Sequence, residues 1–171
     1  GFYKDPLSQQ MHYTKDNWFK TGDLVEYDTE GNLIICGRKK QLIVLSNGKK
    51  IIPTTIEHLL VTHEHINQVC VVGEGFSYLI AIIVANPMEQ LQLSTQSHIQ
   101  VLEEVVKAAL ANYPDYMNLK HIIVINDEFT YENGFLTYTK KLKRSAILDY
   151  FKHEIDQVYQ QKRSIKTYVK K

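Results

Sequence analysis

The side chains of this chain best suited to chemistry are cations gathered in one place. Lys140, Lys141, Lys143 and Arg144 stand together as KKLKR. A lysine ammonium held near a reacting centre stabilises developing negative charge, an effect typically worth about 10²- to 10³-fold in rate. Taken alone, such a run fits a solvated charge cluster at least as well, or a phosphate-binding or nuclear-localisation patch. Asp23 follows Thr21-Gly22, where the glycine lets backbone approach a neighbouring group closely. Arg38 and Lys40 belong to GRKK at 37–40, and Gly48 lies between Asn47 and Lys49 in the turn-like SNGKK.

Other chemistries lack a necessary residue. Gly73 and Gly75 make a GxG after a strand-like run, but the third glycine of a dinucleotide fingerprint is missing and another strand follows where a helix is required. Gly48-Lys49 resembles the end of a phosphate loop, yet Ile43 occupies the place of the first glycine and Lys50 that of the magnesium-binding Ser or Thr. Residue i+4 from His63 is Asn67, so His63, Glu64 and His65 form no HExxH face; solvated histidines at a helix end are expected, and no metal site. Cys36 and Cys70 sit in apolar runs without CxxC spacing, which predicts reduced, buried thiols and a cytoplasmic compartment.

The elements that must position these residues follow from hydropathy. With 44% hydrophobic and 23% charged residues in 171, the chain can bury a core and is no disordered tail. The net charge of +1 gives no global argument for nucleic acid. Locally, Glu132–Lys171 carries ten basic and four acidic residues, against ten and fifteen before it. The longest apolar stretch, YLIAIIVA at 78–85, is under half a bilayer span, and the polar first residues have no leader character. LVEYD and LIICG around TEGN predict a hairpin. GRKK then divides two structural units. Pro53 opens a helix carrying Ile56, Leu59 and Leu60 on one face, with Glu57 near the positive end of its dipole. INQVCVVG and SYLIAIIVA predict an antiparallel pair, 97–112 an amphipathic helix, HIIVIN a strand, and the segment from Ser145 a closing helix. The expected class is α+β: a short central sheet flanked by helices, preceded by a β-hairpin tail.

Three segments in order carry a resemblance: TGDL at 21–24, GRKKQLIVLSNGKKIIPTTIE at 37–57, and ENGFLTYTKKLKR at 132–144, with GFYKDP and NWFKTGD leading in. They resemble the C-terminal signature motifs of the adenylate-forming superfamily of acyl-CoA synthetases, luciferases and peptide-synthetase adenylation domains. The wording is most similar to long-chain fatty acid CoA ligases.

That resemblance implies a division into residues 1–38, the end of a large N-terminal adenylation domain, and 39–171, a mobile C-terminal domain. The rest of the large domain, with its phosphate loop, acyl pocket and Mg2+, lies outside these residues, so the chain alone is expected to be inactive. The implied partners are a fatty acid, ATP and coenzyme A, with no nucleic acid; peripheral contact at the inner membrane surface is compatible with this. Lys141 matches the family's catalytic lysine; Lys140 is a rival that only registration on Lys143-Arg144 disfavours. Asp23 and Arg38 match the nucleotide ribose contacts and Lys40 the hinge. Gly48 matches the glycine bordering the pantetheine tunnel, with Lys49 near the coenzyme A phosphates. Tyr138 departs from the family's proline, and Phe76 stands where many members carry a basic or polar residue. The alternatives are transfer of the acyl group to a carrier-protein thiol, and a non-catalytic module that grips an anionic partner.

Overall fold

A computed structural model of the chain describes residues 12–86, 95–160 and 168–169. The chain divides into two compact units, Gly1–Leu42 and Ile43–Lys171.

In the first unit the expected hairpin is formed by β1 (Asp23–Tyr27) and β2 (Leu33–Arg38), antiparallel with a bulge between Leu24 and Val25. Its turn is organised by Asp28, whose Oδ1 accepts hydrogen bonds from the Glu30 and Asn32 amides at 2.9 and 2.8 Å. Hydrogen bonds from Asn32, its side chain first, hold this carboxyl below the ordinary aspartate range. A single-turn 3-10 helix, Lys39–Gln41, follows. Leu33, Ile34 and Ile35 are consecutive, so they point to both faces of the ribbon, and all three are exposed, as are Val25 and Tyr27. A two-stranded ribbon with neither face covered is marginal in water. Hydrogen exchange of the chain is therefore expected to run at least 100-fold faster for the amides of Leu24–Cys36 than for those of Val69–Val84. Equal protection of the two segments would contradict this.

The second unit is built on a four-stranded sheet in which Ile66–Val72, Leu79–Ala85, Leu119–Ile125 and Tyr168–Val169 lie side by side in that order. Ahead of it, β3 (Ile43–Val44) and β4 (Lys50–Ile51) form a small hairpin, and α1 (Pro53–Leu60) starts with Pro53 in its first turn, where no amide hydrogen is needed. β5 (Ile66–Val72) and β6 (Leu79–Ala85) pair antiparallel, as their sequence predicts. After α2 (Thr95–Leu110), β7 (Leu119–Ile125) lies parallel to β6, and β8 (Tyr168–Val169) lies parallel to β7. Leu79, Ala81 and Ile83 of β6 pack with Ile56, Leu60, Leu102, Val106 and Leu110 of α1 and α2. Ile80, Ile82 and Val84 pack on the opposite side with Ile147, Phe151, Ile155 and Val158. Burial on both faces is why this strand reads as one unbroken apolar run. Gly73, after β5, has no room for a Cβ, which would meet Leu79 Cδ2 at 2.5 Å.

The α+β class stands, with local departures. The closing helix is two pieces, α3 (Arg144–Tyr150) and α4 (Lys152–Gln160). They are joined through Phe151, whose amide bonds to Ile147 O and whose carbonyl accepts from Ile155 N. It begins at Arg144, with no side-chain cap, so Ser145 does not start it. Cys70 is wholly buried, and loss of solvent pushes its thiol up to about 12; Cys36 is half-buried, and both are free. His65 is part-buried against His98, ring centroids 6.3 Å apart, so the expectation of solvated histidines fails there. Among the described residues no helix is long and apolar enough to cross a membrane.

Candidate functional site

Each unit holds part of the predicted set. In the first, Asp23 and Arg38 face each other in the β1–β2 register. Arg38 Nε lies 2.8 Å from Asp23 Oδ1, and Arg38 Nη1 donates to Thr21 O at 3.3 Å. The Asp23 amide donates to Thr21 Oγ1 at 3.1 Å, and Gly22 between them takes φ +77°. The Arg38 side chain is 58% exposed and that of Asp23 19%, so the pair adds at most about 1 kcal/mol to stability. What the pair does is orient a carboxylate and a guanidinium together, with donors and acceptors left over for a polar ligand. Lys40 lies in the Lys39–Gln41 turn and is exposed.

In the second unit the two lysine-bearing loops have the same construction. At the β3–β4 turn, the Leu45 amide donates to Lys49 O at 2.9 Å and the Gly48 amide to Leu45 O at 2.8 Å. Further along, the Thr137 amide donates to Lys141 O at 2.8 Å and the Lys140 amide to Thr137 O at 2.8 Å. Each is a three-residue hairpin loop whose last residue is left-handed, Gly48 at φ +80° and Lys140 at φ +58°. Each thus delivers the next residue, Lys49 or Lys141, at the start of the returning strand. An asparagine or threonine side chain secures that residue: Lys49 N donates to Asn47 Oδ1 and Lys141 N to Thr137 Oγ1, both at 3.0 Å. Lys49 Nζ lies over the Tyr116 ring, 5.2 Å from its centroid. Lys141 is exposed at its tip.

The two rival lysines differ in backbone conformation. Lys140 serves the turn by adopting a conformation that costs a side-chain-bearing residue about 1 kcal/mol or more, while Lys141 is held with ordinary backbone and a free head. Lys140→Gly is therefore expected to raise the melting temperature by a few degrees, because glycine takes this φ without strain. Thermal denaturation of the chain checks this; a lower melting temperature would show that the Lys140 side chain, not the turn, governs that position. Tyr138, 87% exposed, occupies the second turn position, where proline is favoured. Its ring meets Tyr131 edge-on with centroids 6.1 Å apart, and Lys143 Nζ lies 5.8 Å from the Tyr131 centroid.

The base of the Lys141 loop is anchored by Gln68, which lies outside every motif, and by Asn133 of the last one. Gln68 on β5 makes two hydrogen bonds to Phe129, Nε2 to O at 3.0 Å and Oε1 from N at 2.6 Å. Asn133 closes the turn by accepting from Thr130 N at 2.9 Å and donating to Glu128 O at 2.8 Å. A cavity of about 460 Å³ lies beside this turn, between Asp127, Asn133, Phe135 and Tyr150. Glu57 is not at the helix start as its sequence position suggested: α1 has no acidic residue in its first turn, and Glu57 is buried against Arg144. A buried carboxylate in a helix facing a distant arginine leaves no periodic signal in sequence.

The adenylation domain of a carboxylate reductase from Mycobacterium chelonae superposes with TM-score 0.85 at 23% identity, over 94% of this chain and 26% of that one. The A-PCP didomain of the Segniliparus rugosus carboxylic acid reductase, in complex with AMP, gives 0.84 at 24%, over 94% and 23%. The fold is thus that of adenylate-forming enzymes. The family model for the AMP-binding enzyme C-terminal domain matches residues 40–163, and the chain belongs to that family. Human long-chain-fatty-acid–CoA ligase 1 is 31% identical over 176 aligned positions, covering 93% of this chain and 25% of the relative. The chloroplastic long-chain-fatty-acid–[acyl-carrier-protein] ligase AEE15 of Arabidopsis thaliana is 29% identical over 171, covering 93% and 24%. The chain spans about a quarter of the length of these curated relatives.

Proposed function

We propose that the chain is the C-terminal part of an ATP-dependent long-chain fatty acid CoA ligase, acting in the cytoplasm or at a membrane surface. In this reading residues 1–38 end the adenylation domain and 39–171 form the mobile domain. The observation that carries it is the Lys141 hairpin: an exposed lysine directly after the tip of a loop anchored at its base, in a family that includes long-chain fatty acid ligases.

The fatty acid carboxylate attacks the α-phosphate of ATP, forming acyl-AMP and releasing pyrophosphate. Two anions must meet, and Lys141 supplies the positive charge there. Asp23 accepts hydrogen bonds from the ribose hydroxyls, with Arg38 donating beside it. The coenzyme A thiol then attacks the acyl carbonyl, its proton passes to solvent or a base, and AMP leaves. Gly48 lets the pantetheine arm pass close to backbone, and Lys49 attracts the coenzyme A phosphates. Rotation about Lys40 exchanges the two loops between half-reactions. Among the described residues no group of three or more His, Cys, Asp or Glu is placed to hold a metal ion. The Mg2+ that accompanies ATP is assigned to the preceding domain.

The test is to express the longer protein containing this chain and follow AMP and acyl-CoA formation from palmitate, ATP and coenzyme A. Formation of neither would overturn the reading. A second reading is favoured by the acyl-carrier-protein ligase among the relatives: acyl-AMP formation with transfer to a holo carrier protein and not to coenzyme A.

A further inference from the structure

Lys141 reaches its helix through only two residues, and Arg144, the first residue of that helix, is where the structure spends buried charge. Arg144 Nη2 lies 2.5 Å from Glu57 Oε2, with the side chains 19% and 7% exposed. Arg144 Nη1 donates to Val71 O at 3.2 Å, and Glu57 Oε1 accepts from Val71 N at 2.8 Å. Both polar groups of Val71 on the outer strand β5 are thereby satisfied by a carboxylate from α1 and a guanidinium from α3. Local rules disfavour this arrangement twice. A cation at a helix N-terminus opposes the dipole, and two desolvated charges hold elements together no better than a well-packed apolar pair. The ionic version adds direction: a planar guanidinium bound to two oxygens fixes the angle at which α3 starts.

The two ends of this clamp lead to the two lysine loops. Glu57 is on α1, which follows β4 and the Gly48-Lys49 turn directly. Arg144 follows the Lys141 hairpin, whose return strand is pinned by the Leu136–Leu142 bridge and by Lys143 N donating to Phe135 O at 2.8 Å. We propose that Glu57 and Arg144 are positioning residues that lock the Lys141 loop to the Gly48 loop, so that the domain presents either loop as one rigid body. This rests on the catalytic reading above for its functional consequence, but not for its structural one.

The test uses Arg144→Lys, which keeps charge and loses the fork, and Glu57→Gln, which keeps shape and loses charge. Leu59→Ala, a packing change on the same helix, is the control for lost stability. In the chain, amide exchange at Thr137, Lys140 and Lys141 is expected to rise at least 10-fold in Arg144→Lys while that of Ile80–Val84 is unchanged. In the longer enzyme, kcat for adenylation is expected to fall at least 10-fold with KM for ATP within threefold, and Leu59→Ala assayed at an equal folded fraction to lose under threefold. Should Glu57→Gln fail to fold, Arg144→Lys carries both measurements. Unchanged loop exchange in Arg144→Lys, or equal kcat losses in it and Leu59→Ala, overturns the clamp. Faster loop exchange in a longer protein that shows no ligase activity even unmutated supports the clamp and removes the catalytic reading instead.

Discussion

Replacing Lys141 by alanine in the proposed longer ligase is expected to slow acyl-AMP formation by about 10²-fold or more. Thioester formation from supplied acyl-adenylate should change much less. The separation follows from where charge develops. In the first half-reaction a carboxylate approaches a polyphosphate and negative charge accumulates at the transferring phosphoryl oxygens. In the second, a neutral acyl group passes from phosphate to sulfur, and in the proposed cycle a different loop faces the site. Lys141 is exposed where the hairpin turns back, and the hydrogen bonds that shape that hairpin use its backbone, not its side chain. Truncation to alanine therefore leaves the fold intact, and the lost rate reads as lost transition-state stabilisation. Pyrophosphate release gives the first rate and acyl-CoA formation from synthetic acyl-AMP the second. Lys140→Ala, assayed alongside, should cost under fivefold, because Lys140 serves the turn. If it proves the more damaging of the two, the motif register is off by one and the wrong lysine has been assigned.

The residues that were legible in sequence are those whose roles are local. Pro53 starts α1 because a ring without an amide hydrogen suits a first turn, and Asn47-Gly48 makes a tight hairpin because glycine accepts positive φ. The β-branched runs at 66–72 and 79–85 pair as expected. What sequence could not show is pairing between distant segments. That β7 lies parallel to β6 depends on the α2 crossover, and two apolar strands look alike whichever way they run. Glu57 and Arg144 stand 87 positions apart and meet only because α1 and α3 both reach the outer side of β5. Read locally, the first looks like a dipole carboxylate and the second like one more member of a cation run. Lys140 was ambiguous for the same reason. Its left-handed backbone follows from the closure of the 137–141 loop, a property of the turn and not of the lysine.

Lys40→Pro is expected to uncouple the two half-reactions. Lys40 is the middle residue of the Lys39–Gln41 3-10 turn, between β2 and β3. Arg38, before the turn, is extended at φ −117°, ψ 133°, and Leu42, after it, takes φ −59°, ψ 135°. The backbone thus changes direction twice within five residues, none of them fully buried, so its dihedrals can change without breaking a packed core. Proline at 40 fixes φ near −65° and steers residue 39 away from helical values, which removes the tight turn. It adds nothing to and takes nothing from the groups assigned to substrate. In the proposed cycle acyl-AMP formation needs one orientation of the domain, reached once from the free enzyme, whereas acyl transfer needs that orientation to be left for another. Adenylation in a single turnover is therefore expected to stay within about threefold of the unmutated enzyme, and acyl-CoA formation to fall at least 10-fold. Pyrophosphate burst amplitude and acyl-CoA release, measured on the same sample, report the two separately, and a melting curve verifies the fold. Equal loss of both with the fold intact would mean that residue 40 is not the pivot, and the hinge must then be sought among the neighbouring residues of the 39–42 segment.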